Sequence, residues 1–161
     1  MPDEALEIPV ADEDAVLKGA LALVSGEVLE TMFFSEVIAA ECEHGWLESA
    51  VAVQVTFDGS HRGEMWLAVG EEAVPELAAA FLGLDPGEAG EIESSQVMLE
   101  LANILCGSIL SSLWPESSLQ LDAPKRAPWG CGGKGAWHCC LMLPEGRLAI
   151  SIRLLEKPEA K

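Results

Sequence analysis

Residues 94–113 read SSQVMLELANILCGSILSSL, and this stretch decides how the rest of the chain is read. With residues three and four apart sharing a face of a helix, Gln96, Glu100, Asn103, Gly107 and Ser111 fall on one narrow stripe. Nearly everything else is apolar: Val97, Met98, Leu99, Leu101, Ala102, Ile104, Leu105, Ile109, Leu110 and Leu113, with Cys106 and Ser108 as small fillers. The pattern predicts a mostly buried helix with a single polar slot. An ordinary surface helix shows water a broad charged face, whereas these twenty residues contain no Lys or Arg. Gly107 costs about 1 kcal/mol relative to Ala in a helix interior, so its place in the slot fits either close packing or the approach of another molecule.

Working outward, the chain of 161 residues fits one domain, and half its residues are apolar, so it is globular. The 27 Asp and Glu against 9 Lys and Arg give a net charge of −18. Phosphate backbones and anionic lipid surfaces recruit clustered cations, so nucleic acid and membrane are not expected partners. The first fourteen residues, MPDEALEIPVADED, hold acids and no base, the opposite of a secretory leader. The apolar runs are interrupted by Ser, Gly or Glu before the roughly 18 residues that a bilayer requires. A cytoplasmic protein with reduced thiols is expected from these features and from five cysteines.

Residues 1–12 read as a flexible acidic lead-in, 13–156 as one domain and 157–161 as a polar tail. Apolar residues at helical spacing predict a first long helix from Asp14 to about Ile38, with a bend near Ser25 and Gly26. Alternation predicts strands at Ala50–Phe57 and His61–Val69, joined as a hairpin by Asp58-Gly59-Ser60. A short helix follows at Glu71–Leu82, closed by Gly83, and an acidic loop leads into the Ser94 helix. Beyond Trp114-Pro115 come a short strand at Ser118–Leu121 and a second hairpin, Trp137–Leu143 with Arg147–Leu155. The order is a loose repeat of helix and antiparallel strands. Aligning the long helices sets Glu27-Val28-Leu29-Glu30 against Glu100-Leu101-Ala102-Asn103, so the carboxylate recurs and the asparagine does not. Two such helices on one sheet make a two-layer α+β domain.

The Glu-x-x-Asn pattern of Glu100-Leu101-Ala102-Asn103 in an apolar helix, followed some twenty residues later by a strand and Pro124, resembles the CheC/CheX/FliY chemotaxis phosphatases, and most closely their CheX-like branch. The resemblance runs over roughly residues 14–155. It implies a CheC-like fold, two long helices on a mixed, largely antiparallel sheet, and commonly a homodimer. It implies a phosphatase that hydrolyses the phospho-aspartate of a CheY-like response regulator in two-component signalling. Glu100 would dock to the receiver's lysine and Asn103 would orient the attacking water, with Gln96, Gly107, Ser111 and Pro124 meeting the partner. No cofactor of its own is implied, and Mg²⁺ is expected in the partner receiver. The family pattern usually has Asp or Ser where this chain has Gln96, and Pro124 and Pro128 bracket its proline spacing. A non-catalytic receiver-binding or dimerisation module of the same fold is therefore the alternative.

Side-chain chemistry suits those implied roles. Phosphoryl transfer depends mostly on positioning and electrostatics, and an amide both donates and accepts hydrogen bonds without adding negative charge beside a phosphate. A carboxylate beside a cation stays ionised, which suits docking more than general base catalysis. Lys125 and Arg126, next to Pro124, are the cations placed to meet an acidic partner, or are plain solvated charges. Cys131, Cys139, Cys140 and His138 lie within ten residues, but adjacent strand residues point to opposite faces and zinc ligands pair at wider spacing, so no metal site is expected. His44 and His61 have no Ser or Cys partner that spacing would supply, and the five tryptophans read as core or interface residues.

Overall fold

The structure, a computed structural model, describes residues 10–39, 47, 49–129 and 136–155. Its elements are α1 (Val10–Met32), β1 (Val51–Gly59), β2 (Arg62–Val69), α2 (Val74–Leu82), α3 (Glu91–Leu113), β3 (Leu119–Leu121), β4 (Lys125–Arg126), β5 (Ala136–Met142) and β6 (Arg147–Leu155). The strands form one sheet in the order β3-β1-β2-β6-β5, with β4 also pairing β1. Every strand pairing is antiparallel, so the mixed character implied by the resemblance is absent among the described strands.

Period-2 alternation sends Val53, Val55 and Phe57 of β1, Met65, Leu67 and Val69 of β2 and Leu148, Ile150 and Ile152 of β6 into one core. The three helices pack over that face. α3 is central, touching α1, α2, β1 and β2. It contributes Val97, Met98, Leu101, Ala102, Leu105, Cys106, Ile109 and Leu110, all buried. Truncating any one of its fully buried leucines costs about 2–5 kcal/mol. By length and composition α3 is apolar enough to cross a membrane, a property its sequence reading had not credited. Here that apolar surface is spent on the core.

The hairpin turn needs its glycine. Gly59 has φ 131°, and a Cβ there would lie 2.3 Å from the Ser118 carbonyl oxygen, where β3 comes alongside. Gly83 closes α2 in the left-handed conformation as expected, with φ 74°. At the start of α3 the Glu93 carboxylate accepts a hydrogen bond from the Gly90 N–H at 2.7 Å, satisfying one donor of the helix entrance.

α1 departs from its expected bounds at both ends. It already includes residues 10–12, which had been read as lead-in, and it stops at Met32 rather than near Ile38. Phe34 takes a positive φ of 54°, uncommon for a bulky residue. A local bond and two distant ones accompany it: the Ser35 N–H donates to the Leu29 carbonyl at the helix end, Ser35 Oγ donates to Glu145 at 2.6 Å, and Ile38 N–H donates to the Met142 carbonyl at 2.7 Å. β4, only two residues long, had no counterpart in the sequence reading. The lead-in over residues 1–9, the tail over 157–161, His44, Trp46 and Cys131 lie outside the described residues.

Candidate functional site

The stripe predicted on α3 is the exposed face of that helix. Gln96, Glu100, Asn103 and Ser111 are exposed, Gly107 is half-buried, and the intervening Val97, Met98, Leu101, Ala102, Leu105 and Cys106 are buried. Three residues apart, Glu100 and Asn103 sit side by side on one helical face. A Cβ built on Gly107 meets nothing within 4 Å, so this glycine borders open space and is not there to admit a neighbouring element. A carboxylate and an amide thus stand free on a helix that the core holds rigid, with a bare patch of backbone one turn further on. On the α1 side, Ser108 and Ser112 share a cleft of about 800 Å³ with Val28 and Thr31.

At the other end of α3, Gln96 lines a groove of about 440 Å³ together with Ser94, Ile92 and Arg126. Pro124 is half-buried between β3 and β4. Arg126, two residues beyond it, does reach the groove, while Lys125 pairs in register with Gln54 on β1. The apolar residue Ile92, one turn before Gln96, is 75% exposed; its position on the stripe was legible from spacing, although the reading began at Ser94.

The remaining candidates separate from this face. His61 stacks on Trp114 with ring centroids 3.9 Å apart. Cys140 is disulfide-bonded, so the expectation of reduced thiols fails at this position, and its sulfur is not a free thiolate for a metal. Cys106 and Cys139 are free, and burial pushes both thiols up to about 12. Among the described residues no three His, Cys, Asp or Glu side chains group to hold a metal ion. Away from the helices, Arg153 pairs with Glu64, which also accepts a hydrogen bond from Gln54 Nε2 at 3.1 Å.

A helical layer over an antiparallel sheet is the fold shared with CheC-like proteins of known structure. A family model described as chemotaxis phosphatase CheX matches residues 51–126, which span β1 to β4 and contain the whole of α3. Among solved structures, a CheX chemotaxis protein from Desulfovibrio desulfuricans is 14% identical, with 86% of this chain and 99% of that one covered at a TM-score of 0.67. A CheC-like superfamily protein from Shewanella sp. PV-4 is 17% identical, covering 87% and 97% at 0.69. The CheX-CheY-BeF3-Mg+2 complex from Borrelia burgdorferi gives 17% identity, 86% and 97% coverage and 0.67. No curated protein matches the sequence significantly. The family model, over a little less than half of the chain, and the shared fold agree with the resemblance carried by Glu100 and Asn103.

Proposed function

We propose that this chain is a phosphatase for the aspartyl phosphate of a CheY-like receiver domain, with Asn103 orienting the water and Glu100 docking to the receiver's lysine. The observation that carries the reading is the exposure of Glu100 and Asn103 together on a core-anchored helix beside the open space at Gly107. The match to the CheX family model and the existence of a CheX-CheY complex for a protein of this fold support the choice of substrate.

The chemistry asks little of this chain. Water attacks phosphorus, the bond between phosphorus and the aspartyl oxygen breaks, and the products are the receiver's free carboxylate and inorganic phosphate, which keeps the protons of the water. The leaving carboxylate and the Mg²⁺ both belong to the receiver. The Asn103 amide oxygen accepts a hydrogen bond from the water and thereby fixes its line of approach, while its NH₂ group donates toward the phosphoryl oxygens. Glu100, one turn away, pairs with a cation that the receiver presents. Gly107 and Ser111 leave room for the partner's surface, and Gln96 and Pro124 flank it. On this reading the protein works in the cytoplasm as a homodimer and needs no cofactor of its own.

The test is the decay of a phosphorylated receiver. Asn103→Ala should bring the rate down to the receiver's own hydrolysis, a loss of about 10²-fold or more, with the fold unchanged because the residue is exposed. Wild-type turnover by Asn103→Ala would overturn the assignment. Full-strength receiver binding by a wild-type chain that never accelerates decay would instead select the non-catalytic module that Gln96 keeps open.

A further inference from the structure

The groove at the head of α3 carries more than the continuation of a stripe. Its walls are apolar at Val51, Val74 and Met98, and its mouth holds Ile92, Gln96 and Arg126. Three features in it are unusual for a surface with no function. Ile92 is 75% exposed in a helical turn whose neighbours Glu91 and Glu93 are acidic. Arg126 is exposed and has no ion pair among the described residues, in a chain with only nine Lys and Arg against 27 Asp and Glu. Ser94 is buried to 6% exposure, yet its hydroxyl has no hydrogen-bond partner. A serine in a helix ordinarily returns its hydroxyl to the carbonyl four residues back. Here the hydroxyl makes no such bond and is left over on the groove wall.

An unpaired guanidinium, an unused buried hydroxyl and a bare aliphatic side chain around one depression describe a socket for a carboxylate flanked by apolar atoms. Charge decides which partner brings it. A receiver that binds Mg²⁺ at its phosphorylation site must supply carboxylates, because that ion takes oxygen ligands. A chain of net charge −18 repels such a surface until a local cation meets it within a Debye length, about 8 Å at physiological salt. Arg126 lies beside Gln96 on the groove that continues the Glu100 and Asn103 face, where that cation is needed.

We propose that this groove is the receiver-selecting part of the docking face. It takes an acidic segment of the receiver, with Arg126 pairing its carboxylate, Ser94 Oγ donating a hydrogen bond to it and Ile92 packing on an adjoining apolar side chain. The inference rests on the phosphatase reading given above. Glu91 lines the same groove and opposes the incoming charge, so it narrows the position in which an acid fits.

The experiment uses the full chain with a panel of CheY-like receivers from the same organism. Each is phosphorylated for turnover, and each is also loaded with beryllofluoride and Mg²⁺ for binding without catalysis. Arg126→Glu should raise KM about tenfold with kcat unchanged and flatten the dependence of kcat/KM on salt, as expected for a charge at an interface. Arg126→Lys should recover most of the loss. Ile92→Ser should raise KM severalfold, and Glu91→Gln should lower it and widen the range of receivers accepted. Unchanged KM and unchanged binding in both Arg126→Glu and Ile92→Ser would overturn the groove assignment, and the phosphatase reading would still stand if Asn103→Ala abolished turnover. Wild-type turnover by Asn103→Ala would overturn the phosphatase reading, while the groove would stand if Arg126→Glu still weakened binding of the beryllofluoride-loaded receiver. Loss of self-association in Ile92→Ser with receiver binding intact would assign the groove to a second copy of this chain and overturn the proposal.

Discussion

The two long helices, α1 and α3, are the same scaffold used for two ends. Residues 21–30 of α1 and 94–103 of α3 pass through an identical succession of buried, half-buried and exposed positions. Leu23 answers Gln96, Glu27 answers Glu100, and Glu30 answers Asn103, all exposed. The likeness then fails. α3 continues to Leu113, whereas α1 ends at Met32, and in the same register the place of Gly107 falls to Phe34, which is 76% exposed beyond the helix end. Helical packing on a sheet thus repeats through apolar spacing alone, but the site proposed for α3 needs one particular amide and one more turn with free space beside it. A carboxylate at the amide's place cannot donate a hydrogen bond.

The comparison can be broken most forcefully by making α3 resemble α1. Asn103→Glu should lower receiver dephosphorylation by about 10²-fold or more, read from phosphoryl decay. Adding Glu30→Asn to that variant should leave the rate at background, because α1 still lacks the turn that carries Gly107. Recovery of activity would show that the amide alone separates the two helices.

Packing gives the next largest contrast. Leu105 is fully buried while its counterpart Met32 is 40% exposed. Leu105→Ala should cost about 2–5 kcal/mol in denaturant unfolding, and Met32→Ala within about 0.5 kcal/mol. Similar costs would mean that α1 is seated in the core as deeply as α3 at this level.

A smaller effect separates the paired carboxylates. Glu100→Gln should raise KM for the phosphorylated receiver severalfold with kcat held, and Glu27→Gln should change neither. The smallest contrast concerns the thiols. Burial raises Cys106 and Cys139 from 9.0 to about 12, so the folded protein favours their neutral forms. Their contribution to stability is present below pH 9 and declines as pH rises toward 12. In native protein at pH 8 neither should react with an alkylating reagent at the rate of an exposed cysteine, as peptide mapping would show.

Much of this site was legible before the fold was known, for a definite reason. Glu100 and Asn103 lie three residues apart amid apolar residues of helical period, so local geometry puts both on the water side of α3. The β1–β2 and β5–β6 hairpins were legible in the same way, from alternation and turn chemistry. Arg126 was named as a cation near Pro124, but nothing local placed it opposite Gln96. β4 is a two-residue segment, Lys125–Arg126, whose strand character comes entirely from pairing with β1. The end of α1 departs from its expected place because helical spacing of apolar residues continues past Met32, while the turn at Phe34 combines a local bond to Leu29 with bonds to Glu145 and Met142, more than a hundred residues away.

The sequence by itself determined where the long helices and the two hairpins lie, though not the ends of α1, and which polar side chains the central helix must show to solvent, since these follow from periods of two and 3.6 residues. The tertiary structure decided the strand order, the groove joining the head of α3 to β4, and the unequal fates of two helices with the same pattern. Those features depend on contacts between segments far apart in the chain, and no local periodicity encodes which distant partner a segment will meet.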